Sequence, residues 1–237
     1  MRITIVIPTY NERENIILLL VEIFKILKQN KLNGHVIIVD DNSPDGTAEQ
    51  VKRLSKKYET TLIERGKRLG LGSAYKIGFK KALELNSDLI FEMDADLSHD
   101  PEYIPKFLKK INEGYDVVIG SRLIKGGGIV GWNLVRRLIS WSGNIIGRYV
   151  VAIDVSDLTS GYRVYRREVL QSIDLDEIKS RSYDFQLEIL SKVLENDFKV
   201  GTIPIIFYDR KFGKSKLTKL DQLRFLITAL KIRFGMI

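Results

Sequence analysis

Asp94 and Asp96 stand one residue apart, directly after the apolar run Leu89-Ile90-Phe91 and the residues Glu92-Met93, where a buried strand should give way to a loop. At about 4–5 Å and an effective dielectric of about 20, two carboxylates repel by about 3–4 kcal/mol. A divalent cation relieves that repulsion. Hard oxygen ligands suit Mg²⁺ or Mn²⁺, and Mg²⁺ typically binds through one or two carboxylates plus substrate phosphates. A solvated turn or helix cap also uses Asp-x-Asp; the position after an apolar strand raises the ligand reading.

Other residues of the same kind recur at predicted strand ends. Asp40-Asp41 is a second carboxylate pair, suited to hydrogen bonding with sugar or base groups. Turn and capping chemistry accounts equally well for the Asn42–Thr47 stretch that follows. In Pro8-Thr9-Tyr10-Asn11-Glu12, Tyr10 offers an aromatic face and Glu12 an acceptor, though a strand exit and helix start explain the segment as well. Arg122, Arg163, Arg210 and Lys216 are candidate phosphate clamps, and Arg210-Lys211-Phe212-Gly213-Lys214-Ser215-Lys216 mixes cations with glycine, so it can fold over an anion or stay a solvated basic loop. His35 and His99 have no histidine partner at metal spacing and read as structural, with His99 close enough to Asp96 to support it.

The elements that position these groups alternate. Strands are predicted over residues 2–8, 36–39, 60–64 and 116–119, with a fourth that begins at Leu89 and carries Asp94 and Asp96 at its end, and helices between them. Asn11 with Glu14, and Thr47 with Gln50, read as capping boxes, and proline at 101 suits a helix start. Strand–helix alternation implies a parallel sheet with helices on both faces. Ligands of such sheets bind beyond the carboxyl ends of the strands, so Tyr10–Glu12, Asp40-Asp41, Asp94–Asp96 and Arg122 should gather on one rim.

After Gly126-Gly127-Gly128 the pattern changes. Residues 129–150 are apolar but carry Arg136, Arg137 and Arg148, and read as a core helical hairpin or a membrane-surface element; Trp132 and Trp141 suit an interface. A helix from about 183 to 195 and a strand from 198 to 206 follow. The final segment places Leu220, Leu223, Ile227, Leu230 and Phe234 on one helical stripe, fit for a membrane interface or for packing on the domain.

The 237 residues fit one α/β domain with a substantial core. With no cysteine, disulfides, thiolate metal sites and a cysteine nucleophile are excluded. The formal charge of +8 favours acidic partners: nucleotides, nucleic acid or anionic membrane. The start, Met1-Arg2-Ile3-Thr4, leads straight into a strand and does not read as a signal peptide. No uncharged apolar stretch is long enough to predict a spanning helix. A basic nucleic-acid or membrane-binding module without catalysis is a different class of reading; against nucleic acid, the cations are interleaved with carboxylates near Gly-rich loops and no nucleic-acid motif appears.

Taken in order, six segments resemble the dolichol-phosphate mannosyltransferases, a group of family 2 glycosyltransferases of the GT-A fold. They are Ile7-Pro8-Thr9-Tyr10-Asn11-Glu12, residues 39–47, residues 93–101, Gly120-Ser121-Arg122, residues 157–163, and residues 210–216. The resemblance covers nearly the whole chain. It implies a Rossmann-like, mostly parallel mixed sheet: a catalytic domain over 1–218, with 129–150 facing acceptor or membrane, and an amphipathic helix over 219–237.

The resemblance also implies GDP-mannose as donor, dolichyl or another polyprenyl phosphate as acceptor, and Mg²⁺ or Mn²⁺ as cofactor. A polyprenyl-phosphate transferase using UDP-glucose is the nearest alternative. Pro8, Tyr10, Glu12, Val39 and Asp41 match positions around the nucleoside, and Asp94, Ala95 and Asp96 match the metal–diphosphate motif. Ser98 stands where some relatives carry a glutamine metal ligand. Arg122, Arg136 and Ser140 fall near the acceptor phosphate, and Arg210 and Lys216 on a loop that closes over the donor. Asp96, Arg122 and Arg210 are the residues expected to carry catalysis. A peripheral position on the cytoplasmic face of a membrane, with or without a membrane-anchoring subunit, is the expected location, with a soluble-type enzyme as the alternative.

Overall fold

Side-chain alternation along the first strand sets the layering of the molecule. In β1 (Arg2–Thr9), Ile3, Ile5 and Ile7 pack on one face of the sheet and Val6 on the other, all fully buried. The computed structural model describes residues 1–151, 154–210 and 218–237, and of residues 135, 139, 146 and 219 the backbone alone.

The first half is a run of parallel βα units: β1, α1 (Arg13–Gln29), β2 (Asn33–Asp40), α2 (Thr47–Leu54), β3 (Thr60–Glu64), α3 (Leu71–Glu84) and β4 (Leu89–Glu92). A 3-10 turn at Pro101–Tyr103, α4 (Ile104–Asn112) and β5 (Val117–Ser121) follow. Then come β6 (Gly128–Val130), α5 (Leu134–Val151), β7 (Arg163–Arg166), α6 (Arg167–Ser172) and α7 (Phe185–Glu195). β8 (Val200–Pro204), β9 (Ile206–Tyr208) and α8 (Lys219–Arg233) complete the described elements. The main sheet has the order β3-β2-β1-β4-β7-β5-β8, and β6 pairs with β9 in a small second sheet.

Every main-sheet pairing is parallel except those of β7, which lies antiparallel between β4 and β5. The sheet is therefore mixed and mostly parallel, as the resemblance implied. β7 itself was not expected: Arg163 was read as a phosphate clamp, and the structure makes it a sheet residue. Its fully buried guanidinium donates to the carbonyls of Leu158, Ser160 and Gln186 at 2.8 Å each. A buried guanidinium spent on backbone oxygens has little left for a ligand.

Two expected capping boxes are replaced by other partners, distant ones at α1 and a local one at α2. Asn11 sits at φ 55, and α1 begins only at Arg13. The backbone N–H groups of Asn11, Glu12 and Arg13 donate to Ser43 Oγ, Thr47 Oγ1 and Asp45 Oδ2 at 3.0, 3.0 and 3.1 Å. Side chains from the loop after β2 thus satisfy the free donors at the start of α1. Asp45, rather than Thr47 with Gln50, caps α2 by accepting from Thr47 N and Oγ1.

Residues 129–150 form a short strand and one helix rather than a hairpin of helices. The strand expected over 198–206 divides at Ile205 into β8 and β9. In α8 the predicted stripe faces outward: Leu220, Leu223, Ile227, Leu230 and Phe234 are all exposed. A second set, Asp221, Phe225, Thr228 and Ala229, is the buried side, and the helix packs against α5 and α7.

Gly78 on α3 has no side chain because Val6 fills the space a Cβ would take. Gly78→Ala should lower stability by about 1–3 kcal/mol through overpacking. Gly143, inside α5 with open space around it, should gain about 0.5–1 kcal/mol on replacement by alanine. Urea unfolding of the two variants checks both signs.

Candidate active site

A cavity of about 1010 Å³ opens beyond the carboxyl ends of β1, β2 and β4. Pro8, Tyr10, Glu12, Asp41, Asp94, Ala95, Asp96, Arg122, Arg136, Ser140 and Arg210 all contribute to its wall. Val39 and Ser98 do not. Val39 is buried in the sheet and Ser98 lies beneath Asp96. Lys216 lies outside the described residues.

One end of the cavity is pinned by Asp41. Its carboxylate pairs with the buried Arg65 and accepts from the N–H groups of Leu69 and Gly70, both at 3.3 Å. This draws the 65–70 loop over the strand ends and sets the Arg68 guanidinium 4.6 Å from the Tyr10 ring centre. Gly70 is required there: its φ is +96, and a Cβ would collide with the Arg181 carbonyl. Glu12 accepts from Asn15 Nδ2 at 2.6 Å.

The acidic centre follows from the end of β4. Glu92 is fully buried, and burial pushes its carboxyl up to about 7 despite Arg163 and hydrogen bonds from Gln186 (2.7 Å) and Tyr165 (2.9 Å). Asp94 opens onto the cavity. Burial, then repulsion from Asp96, raises its carboxyl to about 7, and Glu92 adds to the effect. Asp96 receives Ser98 Oγ at 2.5 Å and Ser98 N at 3.2 Å on Oδ1, while Arg210 meets Oδ2 at 3.1 Å.

Ser98 therefore orients Asp96 from below and has no cavity face for direct ligation. His99 supports Asp94 rather than Asp96. Its Nδ1 accepts from Asp94 N at 3.1 Å, which leaves the proton of the neutral ring on Nε2, 3.9 Å from Asp94 Oδ2. Burial lowers its pKa to about 4, and the ring stacks on Tyr162. A protonated Nε2 has no lone pair for a metal.

Two carboxylates sharing one cavity wall, one of them raised by burial and then by its neighbour's charge, fit a hard divalent cation. Among the described residues no three His, Asp or Glu side chains converge as a complete cage. Such a cation would depend on ligand oxygens for the rest of its shell.

The opposite wall is basic and braced. Arg122 binds Asp157 through Nε and Nη2 at 2.7 Å each and through its backbone N–H at 3.1 Å, and Nη2 also reaches Thr159 at 2.7 Å. Asn144 of α5 ties the same loop down, accepting from Leu158 N at 2.7 Å and donating to Thr159 Oγ1 at 3.2 Å. Arg136 stacks on Trp132 at 3.9 Å and pairs with Asp209 at 3.0 Å. Asp157, Thr159, Asn144, Trp132 and Arg68 were not singled out from sequence as site residues. The Thr159 and Asp157 positions fall in a segment that the resemblance did flag; Asn144 carries no local signal.

The cavity lies at the carboxyl ends of the strands, where open α/β sheets bind their ligands. The fold is similar to that of glucosyl-3-phosphoglycerate synthase from Mycobacterium tuberculosis, solved with Mn²⁺, UDP-glucose and glycerol 3-phosphate. The TM-score is 0.70 at 19% identity, covering 98% of this chain and 80% of that one. Residues 4–174 match Glycosyl transferase family 2, and the chain belongs to that family. It is 38% identical to an undecaprenyl-phosphate mannosyltransferase of Micrococcus luteus, over 92% of this chain and 88% of the relative. It is 37% identical to a polyprenol monophosphomannose synthase of Mycolicibacterium smegmatis, over 92% and 81%.

The Arg122–Asp157 pair makes a stability prediction. Burial opposes ionisation of Asp157, but the charge and hydrogen bonds of Arg122 outweigh it and hold the carboxyl below its ordinary range. Its contribution is complete above the unfolded value of about 3.9 and is lost as pH falls through the lowered value. Asp157→Ala strands a buried guanidinium and should cost about 3–5 kcal/mol, whereas Arg122→Met with Asp157→Leu should recover most of it and flatten the acid limb of stability. Urea unfolding as a function of pH reads both effects.

Proposed function

We propose that this chain transfers mannose from GDP-mannose to a polyprenyl phosphate such as dolichyl phosphate, giving polyprenyl phosphate mannose and GDP. The observation that carries this reading is the 37–38% identity, over 92% of the chain, to two relatives named for mannose transfer onto polyprenyl carriers. The cavity supports it, with an acidic pair at one end and guanidinium groups on the facing wall.

In the reaction the bond from the anomeric carbon to the GDP oxygen breaks. A new bond forms to an oxygen of the acceptor phosphate, with inversion. A phosphate monoester has a second pKa near 6, so at neutral pH it is largely dianionic and needs no side-chain base. The harder task is to bring two anions together. Mg²⁺ or Mn²⁺ held by Asp94 and Asp96 would supply positive charge for the departing diphosphate. Ser98 holds the Asp96 carboxylate, and His99 the Asp94 backbone N–H, in place. Arg210, already 3.1 Å from Asp96, adds a cation beside the same oxygens. Tyr10, Glu12 and Asp41, with Arg68 against the Tyr10 ring, form the nucleoside end.

On the acceptor side Arg122 is largely committed to Asp157, so it acts as a fixed positive wall. Arg136, partly exposed and stacked on Trp132, turns toward the acceptor phosphate with Ser140 beside it. α5 exposes Leu134, Leu138, Trp141, Ile145 and Tyr149, and α8 exposes the stripe from Leu220 to Phe234. The two helices touch, and both border the cavity. This paired apolar face suits a membrane surface from which a lipid-linked phosphate enters. Among the described residues no helix is long and apolar enough to cross a membrane.

Incubation with radiolabelled GDP-mannose, polyprenyl phosphate and Mn²⁺ should place label in an organic extract. Unlabelled GDP should compete and UDP should not; label that stays in water sinks the reading. Asp96→Asn should lower turnover about 10²–10³-fold and weaken the Mn²⁺ dependence. The acidic limb of the rate should move with the acceptor's phosphate pKa; a limb that stays fixed across acceptor analogues points to an enzyme base instead.

A further inference from the structure

A second cavity, of about 280 Å³, lies on the other flank of α8. Four cations border it: Lys179 and Arg181 from the loop before α7, and Arg224 and Lys231 from α8. Arg224 and Lys231 are seven residues apart, two helical turns, so they share one face, with Thr228 between them.

The loop that presents the other two is held rigidly. The backbone N–H groups of Lys179 and Ser180 both donate to the buried Glu188 at 2.9 and 2.8 Å. The Arg181 carbonyl accepts from Gly72 N at 3.0 Å. Ser182 Oγ donates to Asp221 at 2.6 Å, fastening the loop to α8. The spacing between the two pairs of cations is therefore built in.

The acids nearby are already engaged. Asp184 accepts from Ser182 N and Thr228 Oγ1 at 3.1 Å each, and Asp221 is the α8 capping acid, with Arg224 3.7 Å away. Lys179, Arg181 and Lys231 have no ion pair among the described residues, and all three are exposed. Three exposed cations without an ion pair, Lys179, Arg181 and Lys231, outnumber the one carboxylate in the cavity wall, the hydrogen-bonded Asp184, and that excess is suited to a phosphate group.

Its surroundings name the source of that phosphate. Ile227 lines the same cavity, and it belongs to the exposed stripe that continues through Leu220, Leu223, Leu230 and Phe234. A helix that is apolar on its outer face and basic along the edge meets a bilayer at the level of the headgroups. We infer that this cavity binds the headgroup phosphate of an anionic phospholipid, a site separate from the acceptor-phosphate wall. The inference rests on the membrane-facing reading of α5 and α8. Arg181, Ser182 and Arg224 border both cavities, so a headgroup held here would fix the mouth of the larger one against the lipid surface.

The test uses the full chain and sedimentation with vesicles of phosphatidylcholine, alone or with phosphatidylglycerol added. The added lipid should strengthen binding. Lys179→Gln with Lys231→Gln should reduce that gain about tenfold or more, while binding to phosphatidylcholine alone is unchanged. A control that removes equal charge elsewhere, Lys56→Gln with Lys57→Gln, should keep the gain.

Equal loss in both variants means diffuse attraction and overturns the site. Inorganic phosphate that abolishes the gain, at ionic strength matched with chloride, assigns the cavity to free phosphate and overturns the lipid. Mannosyl transfer to a water-soluble short-chain polyprenyl phosphate is read separately and should be unchanged in the lysine variant. A failure of the reaction and a failure of this site therefore give different results.

Discussion

Negative charge is crowded at the end of one strand, and much of the site is an answer to it. Glu92, Asp94 and Asp96 lie on alternate residues as β4 leaves the sheet. Burial makes an ionised Glu92 or Asp94 costly, and the charges of Asp96 and Glu92 raise Asp94 further. The fold handles the three differently. Glu92 is absorbed by Tyr165 and Gln186 over the Arg163 guanidinium. Asp96 is fixed by Ser98 and faced by Arg210. Asp94, facing the cavity, keeps the largest share of that repulsion, and its carboxyl stays raised.

The rest of the rim is stiffened by side chains that reach between loops. Ser43, Asp45 and Thr47 close the start of α1 from the neighbouring strand's loop. Asp41 and Arg65 hold the next loop over the cavity, and Gly70 lets the chain pass against Arg181. Asp157 with Arg122, and Asn144 with Leu158 and Thr159, do the same on the far wall. Few of these contacts are local in sequence. A substrate arriving here meets positions largely set in advance, which reduces the ordering cost of binding.

How much of this could be read beforehand depends on the length scale of each interaction. β1, β2, β4 and β5 are legible because strands buried on both faces must be apolar runs, while β3, the partly exposed edge strand, shows only as a short β-branched stretch. The gathering of Tyr10, Asp41, Asp94, Asp96 and Arg122 on one rim follows from that order alone. β7 was hidden because Arg163-Val164-Tyr165-Arg166 contains only two apolar-bodied residues, and its first arginine is satisfied by carbonyls invisible to a pattern. The α1 capping box failed because partners more than thirty residues away out-competed local ones, and the α2 box because Asp45, two residues before Thr47, took its N–H and hydroxyl. Periodicity revealed an apolar stripe on α8 but not its direction, since a second set built from Phe225, Thr228 and Ala229 was the one the core took. Arg122 and Asp157 found each other across a separation that no spacing rule spans.

The antiparallel strand also bears on how the chain comes into being. β1 to β4 are complete by Glu92, yet the outer edge of β4 is covered only by β7, about seventy residues later. At a synthesis rate of about 5–20 residues per second, that edge waits for roughly 4–14 seconds with its backbone donors and acceptors open. During this interval the emerging half-sheet is a template for another chain. The insertion that completes the catalytic scaffold thus leaves a window of vulnerability during biosynthesis, closed only when Arg163 to Arg166 slide into the gap.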